Sequence, residues 1–252
     1  MKICYFTATG NCLYVAKRIG EELLSIPQLM RSGELEISDD VVGIISPVYA
    51  GEMPGMVRDF IGKIKIRADY VFYIYTYGMS ESVARPNAIV ACQKAELKLD
   101  YINAVKMVDN YLPAFEAQDQ IDTAGKKDIE SQLDRVCRDI AERKKNVTGI
   151  GVLQKIGMAA VRGTMGRVIF KNDAAQHYIV NDSCIHCGIC AKVCPANNIT
   201  VTERVSFSDH CEVCYACVHN CPKNAIHLKN ERSTARFRNE HVSLKEIIAA
   251  NE

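Results

Sequence analysis

Eight of the chain's 12 cysteines lie between Cys184 and Cys221, and their spacing constrains this stretch more than any other feature of the 252 residues. Cys184, Cys187, Cys190 and Cys194, with Pro195 behind them, read C-x2-C-x2-C-x3-C-P. Cys211, Cys214, Cys217 and Cys221, with Pro222 behind them, repeat the pattern at an offset of 27 residues, and the likeness runs on to Ile199 and Ile226. Three thiolates separated by two residues can curl round one face of a cubane and bind three irons. A fourth, set before a proline that fixes the following turn, serves the other cluster in two-cluster proteins. The spacing therefore predicts Cys184, Cys187, Cys190 and Cys221 on one [4Fe–4S] cluster, and Cys211, Cys214, Cys217 and Cys194 on a second. Zinc is the competing reading, but its sites use two cysteine pairs separated by a dozen or more residues. Four cysteines within eleven residues, twice over, suit the cubane. Two halves built on one pattern imply approximate two-fold symmetry.

A cysteine cluster of this kind means disulfides in a secreted chain and metal in a cytosolic one. Met1-Lys2-Ile3-Cys4-Tyr5-Phe6 runs straight into a strand-like segment without a signal-peptide apolar region, and no apolar stretch approaches the ~18 residues that span a bilayer. A cytoplasmic chain with no membrane span is the expectation. A formal net charge of +1 offers no footing for nucleic acid. Five of the six histidines, His177, His186, His210, His219 and His227, crowd the cysteine-rich region. They read as surface side chains, with cluster tuning or proton transfer as the functional alternative.

Residues 1–146 alternate strand and helix patterns. Residues 2–6, 41–48, 70–77 and 102–108 read as strands, and a fifth, weaker strand is placed at 28–30. Helices are predicted over 11–25, with Leu13, Ala16, Ile19 and Leu23 on one face, and over 56–64, with Val57, Phe60, Ile61 and Ile64 on another. Two more are predicted over 85–97 and over 122–145, the latter striped by Ile129, Leu133, Val136 and Ile140. Such alternation predicts an α/β, doubly wound, parallel five-stranded sheet with helices on both faces. Residues 177–230 form a second, small α+β domain, and 231–252 a tail whose short closing helix has Ser243 as its N-cap. Between them, 147–176 is rich in glycine and basic side chains and reads as a connector rather than a partner- or membrane-binding surface.

The first strand ends in Thr7-Ala8-Thr9-Gly10-Asn11-Cys12 and enters a helix at once. Free backbone N–H groups and the positive end of the helix dipole suit a phosphate there. Thr7 and Thr9 add hydroxyl donors, and Gly10 permits close backbone approach. The bland alternative is a simple N-cap. Position favours the anion, because doubly wound sheets bind ligands beyond the C-terminal ends of their strands. Two further loops follow neighbouring strands: Pro47-Val48-Tyr49-Ala50-Gly51 and Thr76-Tyr77-Gly78-Met79. Each sets a tyrosine beside a small residue, as a planar ring held between loops requires. Neither a Walker A loop nor a G-x-G-x-x-G fingerprint is present.

Residues 1–145 resemble flavodoxins, whose phosphate loop Thr/Ser-x-Thr-Gly-x-Thr is matched by Thr7, Thr9, Gly10 and Asn11, with Cys12 where the family has Thr. The resemblance implies FMN, with Tyr49 and its neighbours and Tyr77, Gly78 and Met79 flanking its ring. The cysteine-rich region resembles bacterial-type ferredoxins with two [4Fe–4S] clusters. As a whole, including the tail from Arg236 to Ile247, the chain resembles a flavodoxin–ferredoxin fusion family of anaerobic bacteria. The resemblance implies an electron carrier or adaptor between redox protein partners, joining one-electron flow through clusters to a flavin that accepts one or two electrons. The covalent tether would keep the two cofactor sites at high effective concentration. With both clusters and FMN the formal charge falls to about −5, which suits basic partners. A terminal flavin-dependent reductase of a small organic substrate is the alternative, with Tyr49, Glu52 and Tyr77 as candidate proton donors.

Overall fold

The computed structural model describes residues 1–151 and 177–252. Five strands build the main sheet: β1 (Lys2–Tyr5), β2 (Glu22–Ser25), β4 (Val41–Pro47), β6 (Tyr70–Tyr77) and β7 (Tyr101–Lys106). Every pairing is parallel, in the order β2-β1-β4-β6-β7. Along the chain these are the second, first, third, fourth and fifth strands, the order of flavodoxin-like doubly wound folds. A parallel sheet covered on both faces needs near-continuous apolar strands. Val42, Ile44, Ile45 and the run from Val71 to Tyr75 are accordingly buried whichever way they point. The covering helices are α1 (Asn11–Ile19), α2 (Ile26–Ser32), α3 (Gly55–Lys63), α4 (Ala84–Lys94) and α6 (Ile129–Ala141); a short α5 (Ala117–Asp122) precedes α6, and its Ala117 packs with the cysteine-rich region. A small parallel pair, β3 (Glu36–Ser38) and β5 (Lys65–Arg67), lies apart from the main sheet.

The second strand departs from expectation. Residues 22–25 read as the end of a helix because Leu23 falls one turn beyond Ile19. Gly20, however, takes an extended φ of −157° and closes α1, which frees Glu22–Ser25 to pair with Lys2–Tyr5. Ser25 then caps α2, accepting a hydrogen bond from the Gln28 N–H, with Pro27 in the first turn. The strand expected at 28–30 is therefore helix. The long helix expected over 122–145 is also interrupted, because Asp128 sits at φ +50° and separates a 3-10 turn (Ala124–Lys127) from α6.

The cysteine-rich region repeats in structure as it does in sequence. Strands β8 (Tyr178–Val180) and β11 (Ile226–Leu228) pair antiparallel, as do β9 (Ile199–Val201) and β10 (Val205–Phe207). Short helices α7 (Ile189–Lys192) and α8 (Ala216–His219) follow the second cysteine of each half. Left-handed residues recur at the same 27-residue offset: His186 and Val213, Gly188 and Tyr215, Asn197 and Asn224. The C-terminal helix α9 (Leu244–Asn251) opens on a capping box between Ser243 and Glu246 and packs against α2 and α7. The connector expected at 147–176 falls mostly outside the described residues. Among those described, no helix is long and apolar enough to cross a membrane.

Candidate functional site

The loops after β1, β4, β6 and β7 meet at the C-terminal edge of the sheet around a cavity of about 370 Å³, within the range of small-molecule sites. Thr7, Ala8, Thr9, Asn11 and Cys12 line it from the first loop, Pro47, Val48, Tyr49, Ala50 and Gly51 from the second, and Thr76, Tyr77, Gly78 and Met79 from the third. Gly10 is not among the lining residues. It sits at φ +99°, its N–H donates to Thr7 Oγ1 at 3.2 Å, and its open side faces Asn239 and Val242. Asn110 Nδ2 donates to Thr9 Oγ1 at 2.7 Å. Both threonine hydroxyls thus serve as acceptors and keep their own protons for an anion. Helix α1 has no acidic residue in its first turn and carries Lys17 and Arg18 in its last, so its dipole is unopposed at the cavity. Cys12 Sγ lies 3.2 Å from Thr76 Oγ1, and burial pushes the thiol up to about 12.

The remaining wall was not singled out from the sequence. Val108, Asp109, Asn110, Tyr111 and Phe115 come from the loop after β7, and Val213, Cys214 and Tyr215 from the cysteine-rich region. The loop after β7 could have been found by asking where each strand's C-terminal end leads. The contribution of residues 213–215 carried no signal, since nothing in their spacing speaks of docking. Asp109 accepts from the N–H groups of Met79 and Tyr111, each at 3.0 Å, and burial raises its carboxyl. Tyr49 is held well above its ordinary value by burial and then by the nearby thiols and Glu212. Glu52 does not line the cavity; it is paired with Arg58 at 2.6 Å.

The cysteine-rich region and the C-terminal tail are locked onto the first loop. Asn251 Nδ2 donates to the Thr7 carbonyl and Asn220 Nδ2 to the Ala8 carbonyl, each at 3.2 Å, and the Asn239 N–H donates to the Thr9 carbonyl at 2.8 Å. The Met56 N–H at the start of α3 donates to Glu212 at 2.9 Å, where Pro54 offers no side-chain cap. His219, expected at the surface, is 4% exposed. Its Nε2 donates to the Asn110 carbonyl at 2.9 Å and its Nδ1 accepts from the Phe237 N–H at 3.1 Å. Burial lowers it to about 4, so the ring is a neutral strut beneath the cavity's fourth loop.

The eight cysteines fall into two groups. Cys184, Cys187, Cys190 and Cys221 surround one void of about 20 Å³. Cys194, Cys211, Cys214 and Cys217 surround another of about 10 Å³. The fourth cysteine of each motif sits with the three of the other half. Cys194 Sγ accepts from the Asn198 N–H at 3.3 Å and Cys221 Sγ from the Ala225 N–H at 3.2 Å, again related by the repeat. Such N–H groups are the hydrogen-bond partners that cluster sulfurs require. Burial pushes Cys190 up to about 11 and raises Cys194, Cys211, Cys214 and Cys217 as well. Thiols so placed ionise when a metal comes among them, so the chemistry of these side chains suits iron–sulfur ligation.

None of the curated proteins matches the chain. Among solved structures, the Trp repressor binding protein from Bacillus subtilis is similar at 10% identity and a TM-score of 0.36, over 54% of this chain and 95% of that chain. The 4Fe-4S binding domain family matches residues 177–200, which hold Cys184, Cys187, Cys190 and Cys194. The match supports iron–sulfur electron transfer through a [4Fe–4S] cluster in this region, which implies redox partners.

Proposed function

We propose that the chain is an electron carrier in which two [4Fe–4S] clusters exchange electrons with FMN bound at the edge of the sheet. Cys184, Cys187, Cys190 and Cys221 hold the first cluster, and Cys211, Cys214, Cys217 and Cys194 the second. FMN supplies a centre that takes one or two electrons; the loop from Thr7 to Cys12 holds its phosphate, and the loops bearing Tyr49 and Tyr77 hold its ring. One observation carries the reading: Cys214 and Tyr215 line both the second cysteine void and the large cavity. A thiolate of the second cluster is therefore part of the wall against which the flavin lies. The first set is the outer one, with Cys187 exposed and Ile185 beside it 57% exposed, whereas Cys214 and Cys217 are buried. This arrangement supports a path from partner to first cluster, second cluster and flavin, in either direction.

The carrier reading is preferred to a terminal reductase. Of the three candidate proton donors, Glu52 is turned to Arg58 and away from the cavity, and burial makes the phenols of Tyr49 and Tyr77 weaker acids than usual. Anaerobic purification with iron and sulfide counts and an FMN titration tests the proposal. About eight irons and one FMN per chain are expected. Four irons, or a chain that cannot be loaded with FMN, would falsify the two-cluster flavin assignment.

A further inference from the structure

We propose that Tyr215, paired with Tyr111, forms the wall on which the planar ring of the cavity's ligand is seated, so that the cysteine-rich region binds the ligand directly. This rests on the flavin reading above. The internal repeat supplies the comparison. Tyr215 stands where the first half has Gly188, and both are left-handed, at φ 57° and 75°. Nothing lies within 4 Å of a Cβ built on Gly188, so in the first half the turn faces open space and carries the residue its backbone favours. In the second half the same turn faces the cavity and carries a bulky aromatic that this conformation disfavours. A side chain held against its backbone preference marks a place where the side chain is needed.

The surroundings say what the ring does. Tyr215 is 7% exposed and lines the cavity. Its centroid lies 5.9 Å from that of Tyr111 at an interplanar angle of 32°. Tyr111 belongs to the loop after β7, so two rings far apart in the sequence meet along one wall. Aromatic pairs of this geometry offer a broad apolar face to a third ring. A ligand ring seated there rests against the turn that contains Cys214, while Tyr49 and Tyr77 bound the cavity from the sheet loops.

The test is FMN titration into iron-replete, flavin-free protein, read by quenching of flavin fluorescence, beside iron content and thermal unfolding. Tyr215→Gly is expected to keep its iron, to unfold more readily than the parent because a buried ring is lost, and to bind FMN ~10-fold more weakly. Tyr215→Phe should stay within about two-fold of the parent, since the ring and not the hydroxyl is invoked. Tyr111→Leu, remote from the cysteines in sequence, should weaken binding in the same direction. Tyr215→Asn, which tolerates the left-handed turn, replaces the glycine variant if that chain does not fold. An iron-replete Tyr215→Gly that binds FMN as tightly as the parent overturns this proposal alone. A parent chain that takes up no FMN overturns it together with the cofactor assignment.

Discussion

Replacing Gly10 by alanine measures how firmly the C-terminal tail is seated on the first loop. Gly10 sits at φ +99°, and a side chain in left-handed backbone costs about 1–2 kcal/mol. A Cβ built there also comes within 3.0 Å of the Cβ atoms of Asn239 and Val242 and 3.3 Å of Val242 Cγ1. Relieving such overpacking costs about 1–3 kcal/mol, so Gly10→Ala should lose roughly 2–5 kcal/mol in all. Gly33 provides the control, with φ +75° and nothing within 4 Å of its built Cβ. Gly33→Ala should show the backbone part alone, about 1–2 kcal/mol. Denaturant unfolding of both variants, checked for unchanged m-values, gives the difference, and amide exchange locates it. Gly10→Ala is expected to be the less stable by about 1–3 kcal/mol, with exchange rising first across residues 239–251. Equal losses in the two variants would refute the argument. A fall in FMN affinity with no change in tail exchange would restore the role expected from sequence, close approach to an anion.

Three other outcomes follow from named contacts. On the proposed ligation, Cys221→Ser should disturb the cluster assigned to Cys184, Cys187 and Cys190 and leave the other, read as a fall towards about four irons with one set of paramagnetic signals intact; equal loss from both clusters counts against crossed ligation. Asn251, 1% exposed, donates to the carbonyls of Thr7 and Ile247, so Asn251→Asp should cost about 2–4 kcal/mol at neutral pH and regain part of it in acid; a loss under 1 kcal/mol would contradict that geometry (about the value of one ordinary hydrogen bond). Glu246 is held down to about 2, first by Lys17 and then by the Ser243 N–H. Its contribution is present above the ordinary carboxylate range and fades as pH falls towards 2. At 39% exposure the pair is worth only about 0.5–1 kcal/mol. Glu246→Gln should therefore weaken protection of α9 slightly at pH 7 and not at all near pH 2; a pH-independent difference would remove the ion pair from the account.

Periodicity served well where burial is two-sided or the stripe is long. The runs at 41–48 and 70–77 are apolar throughout because the central strands of a parallel sheet meet helices on both faces. It failed at 22–25, where Leu23 and Leu24 suit helix and strand alike and Gly20 alone decides. Spacing grouped the cysteines as they surround the two voids because the repeat is visible in the letters. Docking is different. Asn220, Asn239 and Asn251 are ordinary polar residues in sequence, and their meeting with three successive positions of one loop is a tertiary event with no local pattern. His219 misleads for the same reason: it looks like a surface histidine of a polar region until Asn110 and Phe237 close over it. Tyr215 is the middle case. The repeat aligns it with Gly188, so the anomaly was legible, but not the cavity that explains it.

From sequence, the coupling of the two halves falls to their covalent tether. The contacts give it another basis. Glu212 holds the start of α3, His219 holds the loop after β7, Arg31 donates to the Pro195 carbonyl at 3.2 Å, and α9 lies between α2 and α7. Val193, Cys214 and Ala216 belong to the same apolar core as the sheet. An interface with a shared core and several buried hydrogen bonds needs no linker to persist. Cutting the chain within residues 152–176, by an inserted protease site, should therefore leave the two pieces co-eluting at the parent's size, with iron retained and FMN affinity within about three-fold of the uncut protein. Were the tether the source of coupling, the pieces would separate on dilution and FMN binding would lose whatever Tyr215 contributes. Separation at micromolar concentration would mean that the wall formed by residues 213–215 is kept in place by the chain and not by its contacts.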